Sequence, residues 1–425
     1  MSAPTTVDTG AVAGTWDLRK VSLQPATESM IIEDQPTESV IGNDGRTLVN
    51  AKDFAPGGIY RFVVKLQLRY EKQKDSDPWA MGTGWLIAPQ LVVTAGHCVY
   101  DWSHGLGRCI SVKAYIGYNG RDSVTTGLAQ QRRGLKIVTT GGWLQSAANR
   151  PNDVAFIQLD APFKDAKYIR WTPTPLTGTE EIGVVGYPGD KTLGNKEGGE
   201  RGASMYEQFK QVKWNLDTSK EHMLDYNIDT FGGQSGSPVL VRHRIGSKYE
   251  LHSIGAHVYG IHGEVMVNSC STINGRYGNQ YAQYIAAMYN GTESSRTDKG
   301  ISFVPLSKLN AEKDLSQEDF FDGVLSGLGK AASLVGPILQ TSSSFLGPIG
   351  GPIAALAGTA LSVAGRVAAE SDTGEIQTGD DLTQRGILAE SALQTVLEMS
   401  QSKPSSRKPC KNPSSTMRSY TTTRR

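Results

Sequence analysis

The chain has few cysteines and almost no net charge. Four of its 425 residues are cysteine, at positions 98, 109, 270 and 410. Four are too few for a disulfide scaffold, and these are not spaced like zinc ligands. Lysine and arginine (43) nearly balance aspartate and glutamate (42). A balanced chain has no broad positive surface to attract nucleic acid, so we expect no nucleic-acid partner.

A secretory signal peptide is also missing from the visible start. Residues 1–30 contain no basic start followed by an apolar stretch. Cys98 and Cys109, however, flank a short polar loop, and the sequence predicts a disulfide between them. Such a bridge would imply an oxidising compartment. The two observations conflict, so the sequence leaves the localisation open.

The middle of the chain has no long helical periods and is rich in short β-branched runs. A length of 425 residues suggests two to three folding units. Turn-forming residues separate the runs, a pattern typical of sandwiches and barrels rather than of an α/β-hydrolase. The predicted strands are Gly84–Ile87, Leu91–Thr94, Val154–Leu159, Ile182–Val185, Pro238–Val241 and Ile254–Tyr259.

Both ends of the chain differ from this middle part. Residues 1–38 have no apolar periodicity and are predicted to be a poorly ordered leader or pro-segment. Residues 301–401 are expected to form an Ala/Gly-rich helical extension, with a helix around Thr383–Met399. Residues 402–425 carry seven basic residues and no acidic one, and are expected to be a disordered tail.

Residues 331–365 contain no charged side chain, so they must be buried. One interpretation is a membrane-active hairpin, because Gly347, Gly351, Gly358 and Gly365 recur at spacings that let helices approach closely in a bilayer. Prolines interrupt the run, and a pair of helices packed on the rest of the chain or on another copy is favoured. Membrane contact through 331–365 and the basic tail is therefore the less favoured alternative.

A reactive serine is predicted in the string from Gly232 to Pro238 (Gly-Gly-Gln-Ser-Gly-Ser-Pro). A serine hydroxyl becomes a strong nucleophile when an imidazole accepts its proton and a carboxylate orients that imidazole. His97 at the end of an apolar run and Asp153 at the start of another supply these groups. The backbone N–H groups of Gly233 and Ser235 are the predicted oxyanion hole.

Each of these residues also has an ordinary structural interpretation. His97 could be a strand-end histidine with a satisfied hydrogen bond, and Asp153 could cap a buried strand. The order and spacing of His97, Asp153 and Ser235 together favour catalysis. The sequence therefore predicts a serine endopeptidase that acts through an acyl-enzyme on protein or peptide substrates, without metal or organic cofactor.

The sequence disfavours two other functional classes. A lipase or esterase is disfavoured because the serine string precedes a strand and not a helix. The second alternative is a catalytically weak barrel scaffold, with the carboxy-terminal extension as a membrane or assembly module. The complete set of three catalytic residue types disfavours this alternative.

Five strings along the middle of the chain carry a family resemblance: Ser39–Thr47, Thr94–Asp101, Gly186–Thr192, Asp229–Pro238 and Gly255–His257. Through them, residues 39–290 resemble the glutamyl endopeptidase branch of the trypsin-like serine proteases. The resemblance implies an all-β fold of two antiparallel six-stranded barrels, spanning 39–170 and 171–300, with the triad in the cleft between them. It also suggests an extracellular protein.

The resemblance assigns two further roles. Thr230 and His257 lie where the family binds the glutamate carboxylate of the substrate, whereas without the resemblance both would be ordinary residues of the second barrel. The family's mature amino terminus begins at a string like Ser39-Val40-Ile41-Gly42. Because Glu38 precedes Ser39, a glutamate-specific zymogen could cut its own leader at this bond; the alternative is an unprocessed flexible arm.

Overall fold

A computed structural model describes residues 12–26, 29–31, 39–245, 248–260, 267–290 and 296–308. In chain order its strands are β1 (Val12–Asp17), β2 (Ser29–Ile31), β3 (Thr47–Leu48), β4 (Val63–Tyr70), β5 (Trp79–Ala88), β6 (Leu91–Thr94), β7 (Tyr100–Asp101), β8 (Gly107–Ile116), β9 (Gln130–Thr140), β10 (Ala155–Leu159), β11 (Thr177–Gly186), β12 (Tyr206–Asn215), β13 (Leu224–Tyr226), β14 (Pro238–Ile245), β15 (Lys248–Tyr259), β16 (Asn268–Thr272), β17 (Arg296–Asp298) and β18 (Ile301–Pro305). Its helices are α1 (Ala51–Phe54), α2 (Arg121–Thr125), α3 (Gly141–Gln145) and α4 (Tyr281–Asn290), with 3₁₀ turns at Arg150–Asn152, Leu193–Asn195 and Leu306–Lys308.

The first sheet closes into a six-stranded antiparallel barrel. Its strands follow the order β4, β5, β6, β10, β9 and β8, and β8 pairs again with β4. The strands are rich in β-branched and aliphatic residues, such as the Leu-Val-Val-Thr of β6, which suit a pleated surface buried in a core. All eight residues of β4 are buried.

The second sheet is a curved half-barrel with the strand order β13, β16, β15, β14, β11, β12 and β3. Its interior is a separate apolar cluster that includes Ile182, Val184, Trp214, Val239 and Ile254. The two antiparallel β units confirm the predicted all-β, trypsin-like fold class, with the difference that the second unit is an open half-barrel of seven strands and not a closed barrel of six. Every strand predicted from the sequence lies within an observed strand or overlaps it.

The leader differs from its prediction. Residues 12–17 form β1, which lies between β9 and β18 in the first sheet, and residues 29–31 form β2, which runs parallel to β5. Ala13 and Trp16 are buried in the first core. The prediction of a poorly ordered leader is therefore wrong for these residues. Although β1 shows little apolar periodicity, the buried Trp16 and the pairing of β1 with a strand on each side stabilise it.

The predicted division of the chain near residue 170 is crossed twice. The short strand β3 joins the second sheet, whereas β18 returns to the first sheet after the second barrel is complete. Helix α4 also packs on the first barrel, where Tyr281 meets Phe156 edge to face at 4.9 Å. These segments link the two units: β3 comes before the first barrel in the chain but pairs with the second sheet, and α4 and β18 follow the second sheet but pack on the first.

Predictions for the carboxy-terminal part lie outside the described residues. These include the uncharged run 331–365, the helix at 383–399, the basic tail 402–425 and Cys410. Within the part of the chain that is described, no helix is both long and apolar enough to span a membrane.

The predicted disulfide between Cys98 and Cys109 is wrong. Both are free, buried thiols that point to different backbone carbonyls. Cys98 Sγ lies 3.7 Å from the carbonyl oxygen of Ser235, and Cys109 Sγ lies 3.3 Å from that of Ser111. Burial raises the pKa of Cys109 to about 12, so this thiol stays protonated and unreactive. The oxidising compartment inferred from a bridge loses its support.

Candidate active site

His97 and Asp153 form a buried hydrogen-bonded pair. His97 lies in the turn after β6, and Asp153 lies between a 3₁₀ turn and β10. Because β6 and β10 pair with Thr94 opposite Ala155, their ends bring the two side chains together. His97 Nδ1 lies 2.7 Å from Asp153 Oδ2, and the His97 backbone N–H donates to Asp153 Oδ1 at 2.8 Å. The carboxylate therefore fixes both the ring and the turn that carries it.

Gly96 is required for this approach. A Cβ atom at position 96 would lie 2.9 Å from Asp153 Oδ1 and 3.0 Å from the ring of Trp143. Any side chain there would push the carboxylate or the indole away from His97. Lack of space for a side chain therefore explains why glycine occupies position 96 in the Thr-Ala-Gly-His-Cys string.

The pKa of His97 lies well above its ordinary value. Burial alone would lower it, but the negative charge of Asp153 and its hydrogen bond outweigh this effect. Asp153 is fully buried and His97 is 2 % exposed, so their attraction is only weakly screened by water. This environment stabilises the imidazolium that forms when His97 accepts a proton.

Ser235 lies where the second barrel contacts the end of this strand system. Its carbonyl oxygen accepts from the backbone N–H of Thr83 in β5 at 2.9 Å and faces the thiol of Cys98, the residue after His97. Ser235 itself precedes β14 of the second barrel by three residues. The structure thus brings all three predicted catalytic residues to the boundary between the barrels.

The two predicted oxyanion-hole amides belong to peptide groups whose carbonyls are held. Gly232 O accepts from Gly189 N at 2.7 Å, and Gln234 O accepts from Ser237 N at 2.9 Å. In a trans peptide the N–H points opposite to the C=O, so these bonds fix the directions of the Gly233 and Ser235 N–H groups. Gly233 has φ +101°, a conformation that favours glycine.

Thr83 adds a contact that the sequence did not reveal. Its Oγ1 donates to Gly233 O at 2.7 Å and accepts from Tyr187 N at 3.1 Å. The first barrel thereby holds the glycine turn of the second. Thr83 has no local signal, because its role depends on a contact between residues 150 positions apart.

His257 lies beside the serine loop. In β15 its backbone exchanges two hydrogen bonds with that loop: Gly236 N donates to His257 O at 2.7 Å, and His257 N donates to Ser237 O at 2.8 Å. His257 Nδ1 lies 2.7 Å from the hydroxyl of Tyr226. The imidazole is fully buried.

Thr230 is the second predicted pocket residue. Its Oγ1 is buried and has no hydrogen-bond partner within the described residues. Its backbone N–H donates to the carbonyl of Ser39 at 3.2 Å. The structure therefore places Thr230 next to the predicted start of the mature chain.

The segment that begins at Ser39 is held by two buried side chains that the sequence did not identify. Asn268 accepts from Ser39 N at 3.2 Å and donates to Ser39 O at 2.9 Å. Asp229 accepts from Ile41 N at 2.7 Å and from Gly45 N at 2.9 Å. Asp229 lies within a motif string, whereas no pattern marks Asn268. Glu38, the residue on the amino-terminal side of the predicted cleavage site, lies outside the described residues.

The chain is similar in sequence to known peptidases. Residues 82–244 match the family model of the trypsin-like peptidase domain. The chain is 31% identical over 233 residues to a glutamyl endopeptidase of Bacillus licheniformis, covering 54% of this chain and 63% of the relative. It is also 31% identical over 219 residues to a protein of Bacillus subtilis named extracellular metalloprotease, covering 51% of this chain and 61% of that protein.

The chain therefore spans somewhat less than two thirds of the length of these relatives. Among solved structures, one of Glu endopeptidase in complex with MPD is 27% identical, with a TM-score of 0.41, and covers 55% of this chain and 94% of its own. The sequence matches confirm the resemblance to glutamyl endopeptidases. No group of three or more His, Cys, Asp or Glu residues that could hold a metal ion occurs in the described ranges.

Proposed function

Because residues 82–244 match the trypsin-like peptidase domain, we propose that this protein is a serine endopeptidase with a His97, Asp153 and Ser235 triad. The observation that carries the proposal is the buried pair of His97 and Asp153 beside the loop of Ser235. This arrangement supplies a nucleophile, a base and an orienting carboxylate in one place.

The proposed reaction proceeds in two halves. Ser235 Oγ attacks the carbonyl carbon of the scissile peptide bond while His97 Nε2 takes the hydroxyl proton. Asp153 stabilises the resulting imidazolium, and the N–H groups of Gly233 and Ser235 bind the oxyanion. His97 then gives the proton to the leaving amine, which departs and leaves an acyl-enzyme. Water, deprotonated by His97, releases the acid product and restores Ser235.

The proposed substrate preference is glutamate on the acyl side of the cleaved bond. Three observations support it: Thr230 Oγ1 is a buried donor within the described chain without a hydrogen-bond partner, the imidazole of His257 is buried beside the serine loop, and the chain is 31% identical over 233 residues to a glutamyl endopeptidase. A hydroxyl and an imidazole can both donate to a carboxylate. We also propose that the protein is secreted, as the name of the Bacillus subtilis relative indicates for that protein.

Hydrolysis of a peptide panel tests the catalytic proposal. Ser235→Ala removes the nucleophile and should lower kcat/KM by about 10⁴-fold or more without changing the melting temperature. Ser237→Ala is the matched control, because Ser237 Oγ is buried without a hydrogen-bond partner in the described region and its loss should leave activity unchanged. Full activity of the Ser235→Ala variant would refute the triad.

Peptides that differ only in Glu, Gln or Asp before the cleaved bond test the specificity proposal. The parent enzyme should prefer Glu over Gln, and His257→Leu should abolish most of that preference, because it removes a donor to the carboxylate. His252→Leu, on the same strand β15, is the control. Equal kcat/KM values for Glu and Gln peptides in the parent enzyme would contradict the glutamate preference and leave the triad intact.

Processing at the bond between Glu38 and Ser39 is a further part of the proposal. The anchoring of Ser39 by Asn268 beside Thr230 supports a mature terminus at this point. Amino-terminal sequencing of active protein should give Ser-Val-Ile-Gly. A persistent start at Met1 or Ser2 with full activity would exclude processing as a requirement.

A further inference from the structure

The leader is built into the first sheet, where β1 lies between two other strands. β1 pairs with β9 on one side, from Ala13 opposite Thr140 to Asp17 opposite Lys136. On its other side it pairs with β18, from Val12 opposite Pro305 to Thr15 opposite Ser302. Among the described strands, β18 reaches the barrel only through β1. A segment that is merely removed during activation would not be expected to connect two other parts of the sheet.

Side chains of β1 also belong to the core of the first barrel. Ala13 is fully buried, and Trp16 is 4 % exposed. The indole N–H of Trp16 donates to the carbonyl of Cys109 at 2.7 Å. Gly14 packs so closely that an added Cβ would lie 2.1 Å from Leu144 Cδ1. Removal of β1 would expose an aromatic-sized cavity and unpair the edge of β9.

The segment after β1 continues along the outside of the same barrel. Its backbone carbonyls and amides are bound by barrel side chains and backbone at regular intervals, ending in the parallel pairing of β2 with β5. These contacts are Leu18 N to Leu135 O, Arg19 N to Ile110 O, Arg133 Nε to Val21 O, Tyr115 Oη to Leu23 O, Lys113 Nζ to Gln24 O and Ala26 N to Gln67 Oε1.

The chain on the other side of the proposed cut is anchored independently. Ser39 and Ile41 bind to Asn268 and Asp229 of the second barrel, and none of these contacts uses the leader. The leader binds the first barrel, and the segment from Ser39 binds the second. Cutting the bond between Glu38 and Ser39 therefore leaves both new ends with their own attachments.

From this arrangement we propose that the leader is not lost on cleavage, and that the mature protein consists of two non-covalently joined chains. Residues 12–31 serve as a permanent strand and strap of the first barrel. The inference extends the proposed processing, but it concerns the bound state of the leader and does not depend on which protease makes the cut.

A site-specific cut in catalytically inactive protein tests this proposal. In full-length Ser235→Ala protein, residues 33–38 are exchanged for the recognition sequence of a cysteine protease that cuts directly before serine. After complete cutting, verified on a denaturing gel, the sample is analysed by size-exclusion chromatography and native mass spectrometry. We expect one species whose mass is the sum of both fragments, which separate only under denaturing conditions. Free leader fragment beside a body with an unchanged melting temperature would overturn the proposal.

Two variants of the cut protein identify the contacts responsible. Trp16→Ala removes the buried anchor and should raise the fraction of free leader at least tenfold at equal protein concentration. Gln24→Ala removes an exposed side chain, while its backbone carbonyl still accepts from Lys113, so this control should keep the leader bound. Equal retention in both variants would contradict the role given to the core contact of β1. Because Ser235→Ala is inactive throughout, these outcomes are independent of the proposed peptidase activity.

Discussion

At the scale of single residues, the site depends on a carboxylate that holds a histidine through two atoms. Asp153 binds both the ring and the backbone N–H of His97. This double contact explains why Gly96 must lack a side chain. The prediction of His97, Asp153 and Ser235 rests on residue types and their order, because the chemistry restricts which residue types can act.

The pH profile of activity follows from the pKa of His97. Asp153 raises this pKa, so the imidazole holds its proton at higher pH than an ordinary histidine and acts as a base only when deprotonated. We expect kcat/KM to fall as pH drops through this pKa, with the midpoint above that of a free histidine. Asp153→Asn should move the midpoint down and lower the plateau by orders of magnitude. A midpoint at or below the ordinary histidine value in the parent enzyme would contradict the role of Asp153.

Thr83 is predicted to position the oxyanion hole. Thr83→Val keeps the shape but removes the donor to Gly233 O and the acceptor for Tyr187 N. We expect kcat to fall by roughly 10- to 100-fold with KM little changed, since a loosened donor costs less than a lost one. Thr174→Val is the matched control, because Thr174 Oγ1 also donates to one carbonyl and accepts from one backbone N–H. Equal effects of both variants on kcat would show that Thr83 acts only on stability.

Burial of the Lys65 ammonium lowers the free energy of unfolding by an amount that depends on pH. It is 2 % exposed, its Nζ has no hydrogen-bond partner in the described structure, and burial lowers its pKa from 10.5 to about 7. Between pH 7 and 10.5 the unfolded chain binds more protons at this residue, so the stability of the protein rises with pH; below pH 7 the full cost remains. Lys65→Met should therefore raise the free energy of unfolding, and by more at pH 6 than at pH 9.

Chemical denaturation at both pH values measures this difference. The exposed Lys167→Met is the control and should change stability little at either pH. A gain from Lys65→Met that is the same at pH 6 and pH 9 would show that packing, and not charge, makes the difference.

At the scale of elements, strands inside the two barrels were predictable and the strands outside them were not. β6 and β10 are apolar runs bounded by turn residues, and local composition marks them. β1 is stabilised by two distant partners, β9 and β18, which a reading of residues 12–17 alone does not contain. The disulfide prediction failed for a similar reason, since closeness in sequence does not set the direction of a thiol.

The segment 39–45 is an element whose attachment depends on one carboxylate. Asp229 is 1 % exposed and also accepts from Gln208 Nε2 at 2.7 Å, so both of its oxygens face donors. In Asp229→Asn an amide NH₂ group replaces one carboxylate oxygen. This NH₂ then faces an N–H donor, and the hydrogen bond to that donor is lost. We expect a loss of about 1–3 kcal/mol in stability and faster proteolysis within residues 39–45. The melting temperature and limited proteolysis measure both effects.

Asp217→Asn is the control, because its side chain is 45% exposed in its ion pair and can rearrange in water. Unchanged melting temperature and unchanged proteolysis in Asp229→Asn would mean that other contacts hold this segment.

At the scale of the whole molecule, the candidate site exists only because two barrels meet. The first supplies His97, Asp153 and Thr83, and the second supplies Ser235, Thr230 and His257. The alternative of a catalytically weak scaffold places no demand on the pairing of His97 with Asp153, whereas a peptidase requires it. The family resemblance and the strands of both barrels could be predicted from the sequence. The contacts that join the barrels could not, because each links residues far apart in the chain.

Reaction with a fluorophosphonate tests the central claim most directly. Such a reagent phosphonylates a serine only where a base activates it and an oxyanion hole accepts the developing charge. Intact mass and peptide mapping should show one adduct per chain, located on Ser235, with labelling at least about 10³-fold slower in His97→Ala. No adduct in folded protein, or an adduct on a different serine, would contradict the assignment of Ser235, His97 and Asp153 as a catalytic triad.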